Sequence, residues 1–499
     1  NKLYYNVYKT KIIMIIEQKP LYNTLPVGQD IIFTVSDNTI VATKFRVNFT
    51  AQVYVADEVS SLGLASSLVA NLKVTPNNKG VGIFSLQSIL ESYVEPQQEG
   101  VNYLSTSISK FKGIDYSLDN PHPIHLIDKY CVNTNNTRYF QISFNIDYFD
   151  TATSIDRLSF LKPLSSEIYL FFNGVLDYDE PLVLEKNNYG FNINVPKIIF
   201  NDSYGSLGKF ISNAPIEQDA RLSDYGTLSF FSWLNVSTNS FQVGTDDTLV
   251  FKVDNIEISL YNSSGTLITS PFQIECVDIN GGWQYPSDFA ATRILYFGAF
   301  PANLDGWSNE WDTHKANVSY YTILAYDDQT NPISQLYKIN IVDSACKGFE
   351  PIRLTWLNQW GTWDYYTFRK KSVKSLNTNR TSYTQQSGTW NDSTFRINGY
   401  KGGKKNFRVN SKQLITVNTD FVKDEDAVWF EDLINSTDVY ILNGYNDSVQ
   451  DTRSGITNKY VEPVTVTTSN YTRKTKVNDK LIQYTFQIEK THNKRTHSV

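Results

Sequence analysis

Methionine is nearly absent from this 499-residue chain, which has one, Met14, and cysteine is scarce, with Cys131, Cys276 and Cys346. Three widely spaced thiols with no CxxC and no Cys/His cluster argue against a disulfide framework, although one pair can still bridge. The count fits a product assembled inside a cell better than a secreted scaffold. Histidine is also sparse, at five residues. His122 and His125, three apart in NPHPIHLID, have the spacing of a metal pair but no evident third ligand. GxSxG, HExxH, P-loop, GxGxxG and EF-hand patterns are all missing. DYDE at 177–180 reads as a turn with solvated carboxylates. Glycoside hydrolysis needs only two acids at a set separation, and none stands out as such a pair. The expectation is therefore no catalytic residue, no metal, no cofactor and no enzyme.

Long apolar runs are lacking too. Nothing reaches the roughly eighteen residues that span a bilayer, so no membrane span is expected. KIIMIIEQ (11–18) is too short, lacks the cleavage site of a signal peptide and reads as the first strand. Residues 1–13 precede the only Met, which fits a fragment, a processed chain or an upstream extension.

What is present is aromatic and β-prone. The chain is 41% hydrophobic and 19% charged, with 32 Tyr, 29 Phe and 9 Trp. Asn, Ser and Thr are many; aromatic and β-branched residues suit pleated, half-buried surfaces, and Asn with Gly suits the turns between them. The expected fold is mainly β, with several β-sandwich or jelly-roll-like domains in tandem and a flanking α-helix on the C-terminal one. The length predicts about two to four domains, which we place at 1–155, 156–345 and 346–499. KFRVNFTAQVYV (44–55) alternates as a strand with one wet face, and residues 82–96 predict a short helix before Pro96. The middle third repeats the strand pattern in TLSFFSWLN, TLVFKVDN, IEISLYNSSG, RILYFGAF, VSYYTILAYDD and LYKINIVDS. In the last third KDEDAVWFEDLINST predicts a helix at about 424–435, with Asp424 as its cap and Val428, Trp429 and Leu433 as its apolar stripe.

Two features carry the functional reading. Trp283, Trp307 and Trp311 fall in long connections, where core, protein interface and sugar platform all remain open. RLTWLNQWGTWDYYTF (353–368) predicts a hairpin that turns near Gly361, with Trp360 at the tip as a contact for a neighbouring chain. The second feature is charge. The net of −6 is mild, but eleven basic residues between Arg369 and Lys412 stand against Asp392 alone. That island either guards sheet edges and keeps a loop soluble, or touches DNA or an acidic partner.

The strand motif R-L-x-W-L-N-x-x-G-x-W-D-Y-x-T-F, the segment NTDFVKDEDAVWFEDLINSTDVYIL and the closing PVTVTTSNYTRKTKVNDKLIQYTFQIE resemble a group of virion proteins of tailed phages infecting Bacteroidetes-type hosts. YLFFNGVLDYDE and GKFISNAPIEQDARLSDYGTLSFFSW are similar to the same group. The resemblance covers most of the chain as a pattern and carries no catalytic residue. It implies a structural protein of the tail or baseplate, assembled in the host cytoplasm into the virion, with itself and other virion proteins as partners. The helix before a VYIL-type strand is reminiscent of distal-tail and tail-tube folds, a fold-level analogy. The alternatives are a surface adhesin or carbohydrate-binding protein and, third, a polysaccharide-degrading enzyme.

Overall fold

The computed structural model describes residues 14–20, 24–96, 98–102, 122–127, 130–132, 135–159, 163–175, 208–231, 233–235, 250–275, 294–306, 308–326, 330–342, 348–423, 426–442, 461–472 and 482–491. The protein is mainly β, with several multi-stranded sheets and few helices. Residues 1–13, Cys276, Cys346, the DYDE turn and Asp424 lie outside the described residues.

Three buried cores organise the chain. The first lies between the three-stranded sheet of Ile15–Gln18, Ile32–Ser36 and Val81–Ser85 and a larger sheet centred on Phe45–Ala56 and Thr137–Phe149. Strict alternation in the first central strand buries Val47, Phe49, Ala51, Val53 and Val55, as a pleat with one wet face requires, whereas Phe45 is turned out. Phe33 meets Tyr169 edge-on at 5.6 Å inside this core.

The second core joins two five-stranded sheets. One runs in the order Glu217–Ala220, Tyr337–Ile341, Tyr320–Tyr326, Asn255–Tyr261, Phe272–Glu275. The other runs Thr227–Phe231, Ile294–Gly298, Tyr130–Val132, Glu99–Asn102, His122–Pro123. Sheet membership thus interleaves across residue 155: Glu99–Asn102, His122–Pro123 and Tyr130–Val132 share a sheet with Thr227–Phe231 and Ile294–Gly298, while Tyr169–Phe172 pairs with Thr137–Phe149 of the first sheet. All four residues of that YLFF strand are buried because they serve two cores. Tyr169 and Phe171 enter the first, Leu170 and Phe172 the second.

The third core lies on a seven-stranded sheet ordered Trp363–Phe368, Ile352–Leu357, Val439–Leu442, Val461–Val466, Thr485–Lys490, Gly403–Asn418, Val373–Gln385. The expected helix packs on it as Ala427–Asn435, burying Trp429 and Leu433. Its stripe runs through Phe430 and Ala427; Val428 faces out, because at 100° per residue it falls on the side away from Leu433. The connection around Trp311 is helical, Pro301–Leu304 and then Asn309–His314, the latter capped by Ser308 Oγ, which accepts from the Trp311 N–H at 3.1 Å.

Candidate interaction surface

The hairpin Ile352–Leu357/Trp363–Phe368 has no wet face. In its antiparallel register Leu354 stands opposite Tyr366 and Trp356 opposite Asp364, so these share one face, while Thr355 with Tyr365 and Leu357 with Trp363 share the other. Leu354, Trp356 and Phe368 enter the third core; Trp363 and Tyr365 enter the second. The polar positions that alternation assigns to solvent, Arg353, Thr355 and Asp364, are buried instead.

Buried charge needs partners, and Arg353 has them. Its Nε donates to the Tyr225 carbonyl, its Nη1 donates to Thr367 Oγ1 at 2.9 Å and lies 3.6 Å from Asp224 Oδ2, and its guanidinium covers the Phe300 ring at 4.5 Å. Burial alone would raise the Asp224 carboxyl, but the Arg353 and Arg221 guanidiniums outweigh it and hold Asp224 below the ordinary range. Nearby, His125 Nδ1 and Thr227 Oγ1 each lie 2.8 Å from the Tyr365 hydroxyl. Burial, with Arg353 adding to it, pushes His125 down to about 3, so its ring is neutral. These side chains are buried. Their arrangement fixes the hairpin against the middle sheets.

The hairpin tip is equally enclosed. Trp360, expected to meet a neighbouring chain, is 2% exposed, and its Nε1 donates to Asn213 Oδ1 at 3.2 Å within the same chain. Asn358 Oδ1 accepts from the Trp360 and Thr362 N–H groups, and the Gln359 carbonyl accepts from the Val175 N–H at 2.7 Å. Gly361, at φ +73°, sits against the Asn173 carbonyl, where a Cβ would overlap it. The predicted turn at Gly361 is there, but it is a docking point between parts of one chain. Trp311 is likewise core, edge-on to Tyr321 at 5.5 Å. Trp283 and Trp307 lie outside the described residues.

The two most exposed aromatics among the described residues, Tyr400 and Trp390, are elsewhere, in the basic island. Val373–Gln385 and Gly403–Asn418 pair from Val373↔Thr416 to Gln385↔Gly403, with one irregularity at Thr381/Ser382. The neighbouring strand Thr485–Lys490 pairs with Gly403–Asn418 only over Leu414–Asn418. Among the described residues, 403–413 therefore pair with Val373–Gln385 alone and form a two-stranded arm, about 35 Å long at about 3.3 Å per residue. Nearly every residue of its outer strand is exposed.

The arm ends in a built tip. Thr389 Oγ1 donates to the Thr394 carbonyl at 2.8 Å and accepts from the Arg396 N–H at 2.8 Å, while Trp390 Nε1 donates to the Ser387 carbonyl at 2.8 Å. Gly388, at φ +85°, leaves room for the Phe395 ring. Trp390 and Phe395 meet edge-on at 5.5 Å, yet Trp390 is 65%, Tyr400 73% and Ile397 79% exposed. An apolar cluster held in shape and rimmed by Lys and Arg has the make-up of a protein-binding surface. The basic island marks this segment in the sequence; its tip aromatics carry no such mark, because no alternation distinguishes a ribbon that is wet on both faces.

Among the described residues no helix is long and apolar enough to cross a membrane, and no group of three His, Cys, Asp or Glu is placed to hold a metal ion. The sequence matches no protein-family model and no curated protein.

Proposed function

We propose that the protein is a structural component that works by assembly, a tail or baseplate protein of a tailed-phage virion that binds copies of itself and neighbouring virion proteins. The observation that supports assembly most is the arm, whose apolar tip is ordered by its own hydrogen bonds while its aromatic side chains stay in water. The virion setting rests on the sequence resemblance alone. Electron microscopy of the purified chain at rising concentration tests the reading: rings, stacks or complexes with a tail partner are expected, and a particle that stays monomeric and binds no virion protein overturns it.

Glycan binding has one observation in its favour, the exposed rings of Trp390 and Tyr400. Trp311 cannot serve as a platform, being core. Glycan-array binding that disappears in Trp390→Ala would support this second reading, and an array without signal would dismiss it.

A further inference from the structure

We infer that the arm docks on a second copy of this chain, head to tail, with its tip seated at the cleft between the strand Glu217–Ala220 and the C-terminal sheet. The inference rests on the assembly reading above and supplies its contact.

Charge identifies the occupant. Residues 373–418 hold eight of the 45 Lys and Arg and one of the 51 Asp and Glu, a net +7 that leaves −13 on the rest of the chain. Two arms therefore repel one another, whereas an arm and a second body attract. Lys374 and Lys412 pair near the root, with Glu350 and Glu489, but Lys401, Lys404 and Lys405 at the tip make no ion pair among the described residues.

The receiving cleft has about 200 Å³, room for a long side chain or two. Glu217, Asp219, Asp420 and Asp426 line it against one lining base, Arg369, which pairs with Asp219 at 2.6 Å and Asp420 at 3.3 Å. Lys338 and Lys370 flank it, pairing with Glu217 and Asp420, and Lys423 stands beside Asp426, which accepts from its backbone N–H, so the cleft itself is close to balanced and the pull on the arm comes from the body as a whole. Two further observations point to a ligand. Glu217–Ala220 is the outermost strand of its five-stranded sheet, so among the described residues one main-chain edge has no strand beside it. Gln218 lines the cleft, is 7% exposed, and its Nε2 finds no acceptor among the described residues. A strand edge, an unmatched donor and carboxylates together fit a basic ribbon that brings carbonyl oxygens and ammonium groups.

An arm-to-cleft contact is heterologous, so it propagates into a ring or an open stack, unlike an arm-to-arm contact, which closes at two. This gives a sharp test with full-length chains in mass photometry and sedimentation. One variant carries Lys401→Glu, Lys404→Glu and Lys405→Glu; the other carries Glu217→Gln and Asp219→Asn. Circular dichroism and unchanged melting temperatures serve as the folding control. Wild type should form oligomers that dissociate as salt rises, and each variant alone should lose at least tenfold in association. An equimolar mixture should form one-to-one pairs and nothing larger, because each partner keeps one working half. Oligomers unaffected by either set of changes overturn the inference while leaving assembly standing. So do arm changes that act when cleft changes do not, or a mixture that stays monomeric. A wild-type chain that binds duplex DNA through the arm and never a second copy also overturns it.

Discussion

Arg353 and Asp224 face each other 3.6 Å apart with both side chains almost wholly removed from water. One stands on the C-terminal sheet and the other beside the strand Thr227–Phe231 of the middle sheets, so the pair ties two cores together. Removing one partner leaves the other charged and dry, which typically costs about 3–5 kcal/mol, whereas replacing both by apolar residues is often near neutral. Asp224→Ala or Arg353→Met alone should lower the denaturant midpoint strongly, and Asp224→Leu with Arg353→Met should restore part of it, since Arg221 and Thr367, which also donate to Asp224, lose their acceptor. A double variant as unstable as the worse single one would show that the pair is not the cause.

Gly361 and Gly63 separate backbone strain from docking. Both have positive φ, +73° and +81°, but a Cβ at Gly63 meets nothing within 4 Å whereas one at Gly361 meets the Asn173 carbonyl. Alanine at either position bears the left-handed cost of about 1–2 kcal/mol. Only Gly361→Ala also forces the tip away from the Asn173 turn. Its melting temperature should fall well below that of Gly63→Ala; equal losses would mean that the contact contributes nothing.

Asp364 and His125 should oppose each other in acid. Burial pushes Asp364 up to about 6 against the hydrogen bonds of Ser212, Asn358 and the Asn213 N–H. Its folded form holds a proton that the unfolded chain releases above about 4, so stability falls as pH rises from 4 to 6, by an amount on the order of 3 kcal/mol. His125, pushed down to about 3, does the reverse: the unfolded chain takes up a proton below about 6.5, so stability is lost as pH falls from 6.5 towards 3. Urea unfolding between pH 4 and 6.5 should show a steeper acid loss in Asp364→Asn than in wild type. Parallel curves would refute the assignment.

The arm should be dispensable for folding. Replacing Asn377–Lys412, which stand opposite each other in the register, by Asn-Gly joins Leu376 to Gln413 through a two-residue turn. The ribbon buries little, so the melting temperature should stay within about 3 °C of wild type on the usual scale of about 2–4 °C per kcal/mol for larger domains. A collapse of the fold would make the arm part of the core and remove it as a free contact.

How much of this was legible beforehand depended on whether one face was wet. Phe45–Ala56 and the helix Ala427–Asn435 announce themselves by period, since each buries one side and solvates the other, whereas Thr227–Phe231 and Ile294–Gly298 are buried throughout and announce themselves as short apolar runs. The hairpin at 352–368 announces its turn and misleads about its surroundings. Arg353 and Asp364 look solvent-facing because hydropathy registers the charge and not the groups that pair with it, and Asp224, the counter-charge of Arg353, and Ser212, which donates to Asp364, lie more than 100 residues away in sequence. Trp360 misleads for the same reason: a hairpin tip is exposed only if nothing docks on it. The arm left a charge signature without a periodic one, so its position could be suspected but not its form.

The hairpin shared by two cores also has a mechanical meaning. The arm's inner strand joins Thr485–Lys490, which leads through Val461–Val466 and Val439–Leu442 to Ile352–Leu357. A pull on the arm tip therefore travels across one continuous hydrogen-bonded sheet and ends in strands held from both sides. The strain is divided between the second and third cores, and neither can be peeled open without disturbing the other.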